Sequence, residues 1–511
     1  MAAGAPLNSA CETRRAACLE TPRDRSRGST PRDGWWPVES ALSHRSRTMQ
    51  AVSVRFAKIE REPAMGQRLR ILTEIFGFDG WKVKEAFFED GAGHRVHPVA
   101  GFAVLRSTRL VLVVERRWVN RCSTCGGRCG TRHEQLEARR WSDLAWAEHP
   151  VEIEYAPCRV KCRRCKATPV EFVAWADSYQ RQTRRLQHHL ALECASMPTS
   201  HVAALHGLSW ATVHRAEDHA LERWEKTRPV VPLEQVGFDE KWLGRRHKNE
   251  HKFVSIISNL ATGEPIWMGQ GRDEAAVRPW LDALTSEQKA SIHLFAMDLH
   301  RAFWNAVDNT HGLEHAAIVH DPFHVIKLAN ACLDELRREV FFRAGPDLRA
   351  LGRGKRWLLL RAWEKTTQQQ RDDLEGLLAH NRTLARAYQI KEELREVLHA
   401  PSGPDLEVGL QRILRRTQNR SIVALRRLHD TLNERWNEIV ALGTHRPPTG
   451  RVEALNNNWE TLVRRGRGYR NYPYMLRKLR FMVANPIRST DGIKRFLALG
   501  LTTPTPLSAA A

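Results

Sequence analysis

Apolar and polar positions change period several times along the chain, and each change marks a part. Between positions 69 and 119 the runs are short and β-like, at 81–83 and 110–114, and they lead into a stretch rich in cysteine. From about 181 to 226 the spacing turns helical. Past Pro232 strands and helices alternate: strands are predicted at 235–239, 252–257 and 265–268, the last two joined by the turn Ala261-Thr-Gly-Glu264. A helix follows at about 274–284, then a strand at 293–298, a helix from about Arg301 and a strand at 316–319. Three antiparallel strands followed by strand–helix–strand is the order of a ribonuclease-H-like core. Leu328, Ala329, Cys332, Leu333, Leu336 and Val340 then keep helical spacing, and helical composition persists to about Ile439. The segment 446–480 is again helical and strongly basic. Residues 1–48 have no apolar period and carry eight Arg, no Lys and five acidic residues, which predicts a disordered extension and argues against an organellar transit peptide. Met49 and Met65 are the expected alternative translation starts.

Composition bounds this picture. At 511 residues the chain is too long for one core, and with 42% apolar residues and 17 tryptophans it is not disordered throughout. No stretch reaches the roughly 18 consecutive apolar residues of a membrane helix, so a soluble, cytoplasmic protein without a membrane partner is expected. The formal charge of +22 makes polyanions, and nucleic acid first among them, the expected partner. Six of the ten cysteines fall between Cys122 and Cys165, which is the distribution of a metal site and not of a disulfide framework. Cys122-Ser-Thr-Cys125 and Cys162-Arg-Arg-Cys165 are two C-x-x-C knuckles able to place four thiolates around one tetrahedral Zn²⁺. Cys129 and Cys158 could replace a ligand or join a second site, whereas Cys11, Cys18, Cys194 and Cys332 read as ordinary thiols.

Within the helical stretch 181–226, Ala203 stands four residues before Gly207, with Val213 and Ala216 beyond it. That spacing lets two short helices cross closely in a helix-turn-helix, with Ser209 capping the second helix. This helix would offer Trp210, Thr212, His214 and Arg215 to a major groove; a plain αα-hairpin is the alternative. Asp239 ends the first predicted strand of the core and Asp298 the fourth, so in a sheet where those strands are neighbours two carboxylates emerge at one edge. Like charges so placed call for a cation, Mg²⁺ or Mn²⁺. Glu453, at the start of a helix that continues into Arg464, Arg465, Arg467 and Arg470, could complete a two-metal site. Asp321, also at a strand end, reads as a cap or a secondary site residue, and Glu240 should face the other side of the strand from Asp239.

Taken together, the paired knuckles, the helix-turn-helix, Gly237-Phe-Asp239-Glu240, Ala296-Met-Asp298, Ile318-Val-His-Asp321-Pro-Phe-His324-Val-Ile-Lys327-Leu-Ala-Asn330 and Gly450-Arg-Val-Glu453-Ala-Leu-Asn456-Asn457 resemble the bacterial DDE transposases of the ISL-three insertion-sequence group, over about residues 65–485. The resemblance implies a multidomain α/β protein: a zinc-stapled N-terminal β module at 65–178 after an extension at 1–64, a helix-turn-helix at 179–230, and a ribonuclease-H-like catalytic core at 231–344. An all-helical insertion at 345–445 would interrupt that core, which would resume at 446–490 with the third acid and the basic helix and be followed by a disordered tail at 491–511. It further implies that Asp239, Asp298 and Glu453 are the catalytic triad and hold two Mg²⁺ (or Mn²⁺) ions per active site, and that Cys122, Cys125, Cys162 and Cys165 bind Zn²⁺. The expected activity is transposition: binding double-stranded DNA at terminal inverted repeats, cleaving it and transferring the strand to target DNA, in a homo-oligomeric synaptic complex on the nucleoid. A structure-selective nuclease on the same core and a zinc-dependent DNA-binding regulator without catalysis are the alternatives.

Overall fold

The computed structural model describes residues 65–96, 108–147, 149–243, 252–343, 345–418, 421–466 and 469–501, and the extension expected at 1–64 lies outside them. The first described element is a helix, α1 (Met65–Phe76), where strand-like runs were expected from residue 69. Leu69, Leu72 and Phe76 share one buried face, but Ile71 and Ile75 stay exposed, which blurs the helical period in the sequence. The helix covers a five-stranded sheet, β2-β1-β3-β8-β7, made of β1 (Trp81–Glu89), β2 (Arg95–Val96), β3 (Arg109–Arg116), β7 (Arg139–Trp146) and β8 (His149–Tyr155). Trp175 fills its centre, fully buried, with the rings of Phe76, Phe78, Trp81, Trp141 and Tyr155 edge-on around it. Four short strands, β4 (Asn120–Arg121), β5 (Arg128–Cys129), β6 (Arg132–Gln135) and β9 (Cys158–Val160), form two small ribbons around the cysteines.

Three helices follow: α2 (Arg184–Cys194), α3 (Thr199–Leu205) and α4 (Trp210–Lys226). Ala203 and Ala216 are buried with Val202 and Val213, so the small residues do sit where α3 and α4 approach. Gly207 adopts φ +60°, the left-handed conformation that ends α3, and the Ser209 hydroxyl accepts the Thr212 N–H at 3.2 Å to cap α4.

The second sheet has the order β12-β11-β10-β13-β14, from β10 (Gln235–Trp242), β11 (Phe253–Asn259), β12 (Glu264–Gln270), β13 (Leu294–Met297) and β14 (Ala317–His320). β10, β11 and β12 are antiparallel, whereas β13 and β14 run parallel to β10. Strand β10 does not end at Asp239. Its ladder with β13 stops at Phe238–Met297, but pairing with β11 continues to Trp242–Phe253. Alternate residues bury opposite faces: Ile257, Phe238 and Phe295 pack under α5 (Glu274–Asp282) and α7 (Arg301–Asp308), with α6 (Ser286–Ser291) on the rim, while Val254, Ile256 and Met268 pack under α16 (Thr449–Gly466) and α17 (Tyr472–Ala484). Gly269 lets α5 close on β12, since a Cβ there would lie 1.7 Å from the Ala276 carbonyl oxygen.

Between β14 and α16 the described residues form eight α-helices, α8 (Pro322–Arg343), α9 (Pro346–Gly352), α10 (Arg356–Leu360), α11 (Gln368–Ala379), α12 (Arg382–Leu398), α13 (Gly403–Thr417), α14 (Val423–Glu434) and α15 (Trp436–Val440). Apolar residues of α8 and of α10 to α15 share one core with Leu294 and Val319 of the sheet. The last helix, α18 (Thr490–Ala498), corrects the expectation of a disordered tail from 491: Ser489 caps it, and Phe496 is buried against His188 of α2 and Phe481 of α17. One anchoring aromatic in a nine-residue helix leaves little period to read. Among the described residues no helix is long and apolar enough to cross a membrane.

Candidate active site, metal cluster and DNA cleft

The strand registers determine which acids meet. Phe238 pairs with Met297, so the next residues, Asp239 and Asp298, leave β10 and β13 at one level. Met297 pairs with His320, so Asp321 leaves β14 at the same level. All three carboxylates and His324 line one cavity, whose remaining wall includes Pro447 and, from the first turns of α16, Val452 and Leu455. Asp298 is 8% exposed, and its Oδ1 accepts the His300 N–H at 2.9 Å. Asp239 accepts a hydrogen bond from the Lys241 ammonium. Asp321 accepts the Phe323 N–H at 2.9 Å and thereby caps α8. Burial pushes the Asp321 carboxyl above its ordinary range and the Asp239 charge adds to the push. Glu453 is exposed on α16 beside Val452. Glu240 leaves the opposite face of β10, where its Oε2 is buried without a hydrogen-bond partner.

One residue at this edge, Lys241, was not singled out from sequence. Lys241 lies two positions past Asp239, hence on the same face of the strand, and that period was the available signal. Asp321 had its strand-end position as a signal, but an acid before a proline reads first as a cap, which it also is.

The cysteine cluster is tighter. The ligand atoms of Cys122, Cys125, Cys162 and Cys165 all lie within 4.8 Å of one another, the one such group of metal-ligating side chains among the described residues. The two knuckles share a backbone device: the residue after the second cysteine takes a positive φ, +68° at Gly126 and +53° at Lys166. Ladder-like bonds close each turn, Cys122 N to Gly127 O at 2.9 Å and Cys162 N to Ala167 O at 3.0 Å. The Cys165 N–H points at the Cys162 sulfur at 3.4 Å, and this backbone donor leads the groups that hold the thiol down at about 6, favouring the thiolate a metal requires. Cys129 and Cys158 are buried outside the group of four; Cys158 Sγ accepts from Asn120 at 2.9 Å, and burial pushes both thiols up to about 11. A soft, four-sulfur, tetrahedral-sized cage fits Zn²⁺.

Of the residues expected to meet DNA, Trp210 and His214 from α4 and Arg464, Arg465 and Arg470 from the C-terminal basic segment line one open cleft of about 700 Å³. Arg465 also donates to the Ala195 carbonyl at 2.6 Å, which ties that segment to the end of α2. Thr212 and Arg215 lie on α4 outside the cleft lining; Thr212 hydrogen-bonds to Ser209 at 2.9 Å, and Arg215 is exposed. Arg467 falls outside the described residues.

A family model described as a transposase matches residues 236–479, and one described as the helix-turn-helix domain of transposase family ISL3 matches residues 173–221. The chain is 26% identical over 414 residues to the transposase for insertion sequence element IS1001 of Bordetella parapertussis, covering 80% of this chain and 97% of that protein. It is also 26% identical over 438 residues to the transposase for insertion sequence element IS1557 of Mycobacterium tuberculosis, covering 79% and 93%. The first family match begins within β10 and ends within α17, enclosing the whole acid-edged sheet and α16, and the second spans α2, α3 and most of α4. The chain therefore belongs to the ISL3 family of insertion-sequence transposases.

Proposed function

We propose that the chain binds the terminal inverted repeats of an insertion sequence, cleaves the DNA at the element's ends and joins the freed 3′-hydroxyls to target DNA. On this reading 231–344 and 446–490 form one ribonuclease-H-like core interrupted by the helices of 345–445. Asp239, Asp298 and Glu453 are its catalytic acids. The observation that carries the reading is the level register of Asp239 and Asp298 on neighbouring parallel strands, with the first turns of α16 closing the same cavity.

An edge dominated by carboxylate oxygens suits a hard cation, and the Lys241 ammonium beside Asp239 marks it as one that calls for positive charge. Asp239, Asp298 and Glu453 would hold two Mg²⁺ or Mn²⁺ ions, which when bound polarise the scissile phosphate and stabilise the leaving oxygen. Asp298 is oriented by the His300 N–H, and its burial limits its motion. Lys241 restrains Asp239. Arg464, Arg465 and Arg470 contact phosphates and set the path of the strand, while α4 and the zinc module read the repeat. Water and then the 3′-hydroxyl attack in line, so no covalent protein intermediate forms. Joining two ends to one target requires more than one copy of the chain, so the working form is a homo-oligomeric synaptic complex on nucleoid DNA.

The test is a strand-transfer assay with labelled element ends. Wild type should yield joined products with Mg²⁺. Asp298→Asn should still bind the ends but neither cleave nor join. Hydrolysis without joining would identify a nuclease instead, end binding without cleavage by wild type would leave a regulator whose acids only cap strands, and full strand transfer by Asp298→Asn would remove that acid from the chemistry.

A further inference from the structure

Three rings form a column at the mouth of the cleft between α4 and the basic segment. Tyr474 lies buried at its base, with its hydroxyl donating to the buried Glu217 carboxylate. His214 is tilted against Tyr474, with centroids 4.2 Å apart and 49° between the planes, and Trp210 stacks on His214 at 4.8 Å with 29° between the planes. Trp210, the outermost ring, is 55% exposed, so the column ends in an open aromatic face at the first position of α4.

This is an odd group for reading base edges. An indole has a single N–H donor and no acceptor, so it cannot make the bidentate contacts that distinguish base pairs in a groove. Its π-face, however, stacks on any base. The cleft beside it, about 700 Å³, has room for a flat base. Arg464 and Arg470 line the same cleft and are exposed.

We propose that the Tyr474–His214–Trp210 column is a seat for one unpaired nucleobase, stacked on the open face of Trp210 as a fourth ring, with its flanking phosphates on Arg464 and Arg470. The inference rests on the reading of the chain as a DNA-joining enzyme and adds a ligand class to it: at some stage a base of the bound DNA leaves its partner and is held by the protein. The buried anchoring of Tyr474 matters because it fixes the column before DNA arrives, so little ordering is left to pay for on binding.

The test uses the full chain and two fluorescein-labelled 30-base-pair duplexes, one fully paired and one carrying a single unpaired thymine, at one salt concentration. Wild type should bind the bulged duplex roughly 5- to 150-fold more tightly, the range that base–aromatic stacking commands. Trp210→Ala should bring that ratio to near one, and Trp210→Phe should retain most of it. Equal affinity of wild type for both probes, or a preference that survives Trp210→Ala, would overturn the seat while leaving the transposase reading intact. Binding to neither probe would overturn both.

Discussion

Glu217 is one of the points at which the helix-turn-helix is fastened to the C-terminal helices, beside the Asp218–Arg477 and Glu225–Arg480 pairs, and its removal should be costly. It is 1% exposed on α4; its Oε1 lies 2.7 Å from the ammonium of Lys478 on α17, and its other oxygen accepts from the Tyr474 hydroxyl. Lys478 is itself 8% exposed. Glu217→Leu leaves that ammonium buried without a counter-charge and the phenol without an acceptor, which should destabilise the fold by about 3–5 kcal/mol. The double variant Glu217→Leu/Lys478→Met removes both charges and replaces them with apolar groups of similar size, so it should recover most of that loss, leaving about 1–3 kcal/mol for the Tyr474 hydroxyl that still lacks its acceptor. Equilibrium urea unfolding of the four proteins of this cycle, followed by tryptophan fluorescence, measures both quantities; Trp224 on α4 packs edge-on against Phe481 of α17, with centroids 5.0 Å apart, and reports on this interface. A single-variant cost under about 1 kcal/mol, or a double variant no better than the single, would refute the argument that a desolvated pair couples the two segments.

Metal analysis of purified protein should find one zinc per cysteine cluster; Cys162→Ser should lose it, whereas Cys158→Ser should keep it because that thiol lies outside the four-sulfur group. Gly269→Ala should cost several kcal/mol in the same urea experiment, roughly the 1–3 kcal/mol of an overpacked core or more, because the clash is with backbone that cannot rotate away. His188, held down at about 3 by burial and by the neighbouring Arg223 charge, should make stability fall as the pH drops from about 6.5 toward 3. The folded state binds this proton less readily than the unfolded chain, so its contribution is complete above 6.5 and is lost on acidification at up to about 1.4 kcal/mol per pH unit. His188→Gln should flatten that part of the profile, and an unchanged slope would count against the assignment.

The parts legible in the sequence were those in which local pattern and tertiary role agree. The five strands of the mixed sheet announce themselves because each carries a short apolar run, buried on both faces in β11 and β13, and the capped turn from Gly207 to Ser209 follows from local chemistry alone. The strands β7 and β8 were harder to read because they carry a polar face, where Arg140 bridges Glu89, Glu152 and Glu154. The meeting of Asp298 with Asp321 depends on the pairing of β13 with β14, a tertiary fact that a strand-end acid cannot reveal. The same holds for the ring column, since Tyr474 reaches His214 from 260 positions away along the chain.

The most direct test of the central claim is the anomalous scattering of Mn²⁺ in crystals of the chain bound to its element end. Density is expected within bonding distance of the Asp239 and Asp298 carboxylates, lost in Asp298→Asn together with cleavage. Manganese bound away from both acids in crystals that still cleave the end would contradict it.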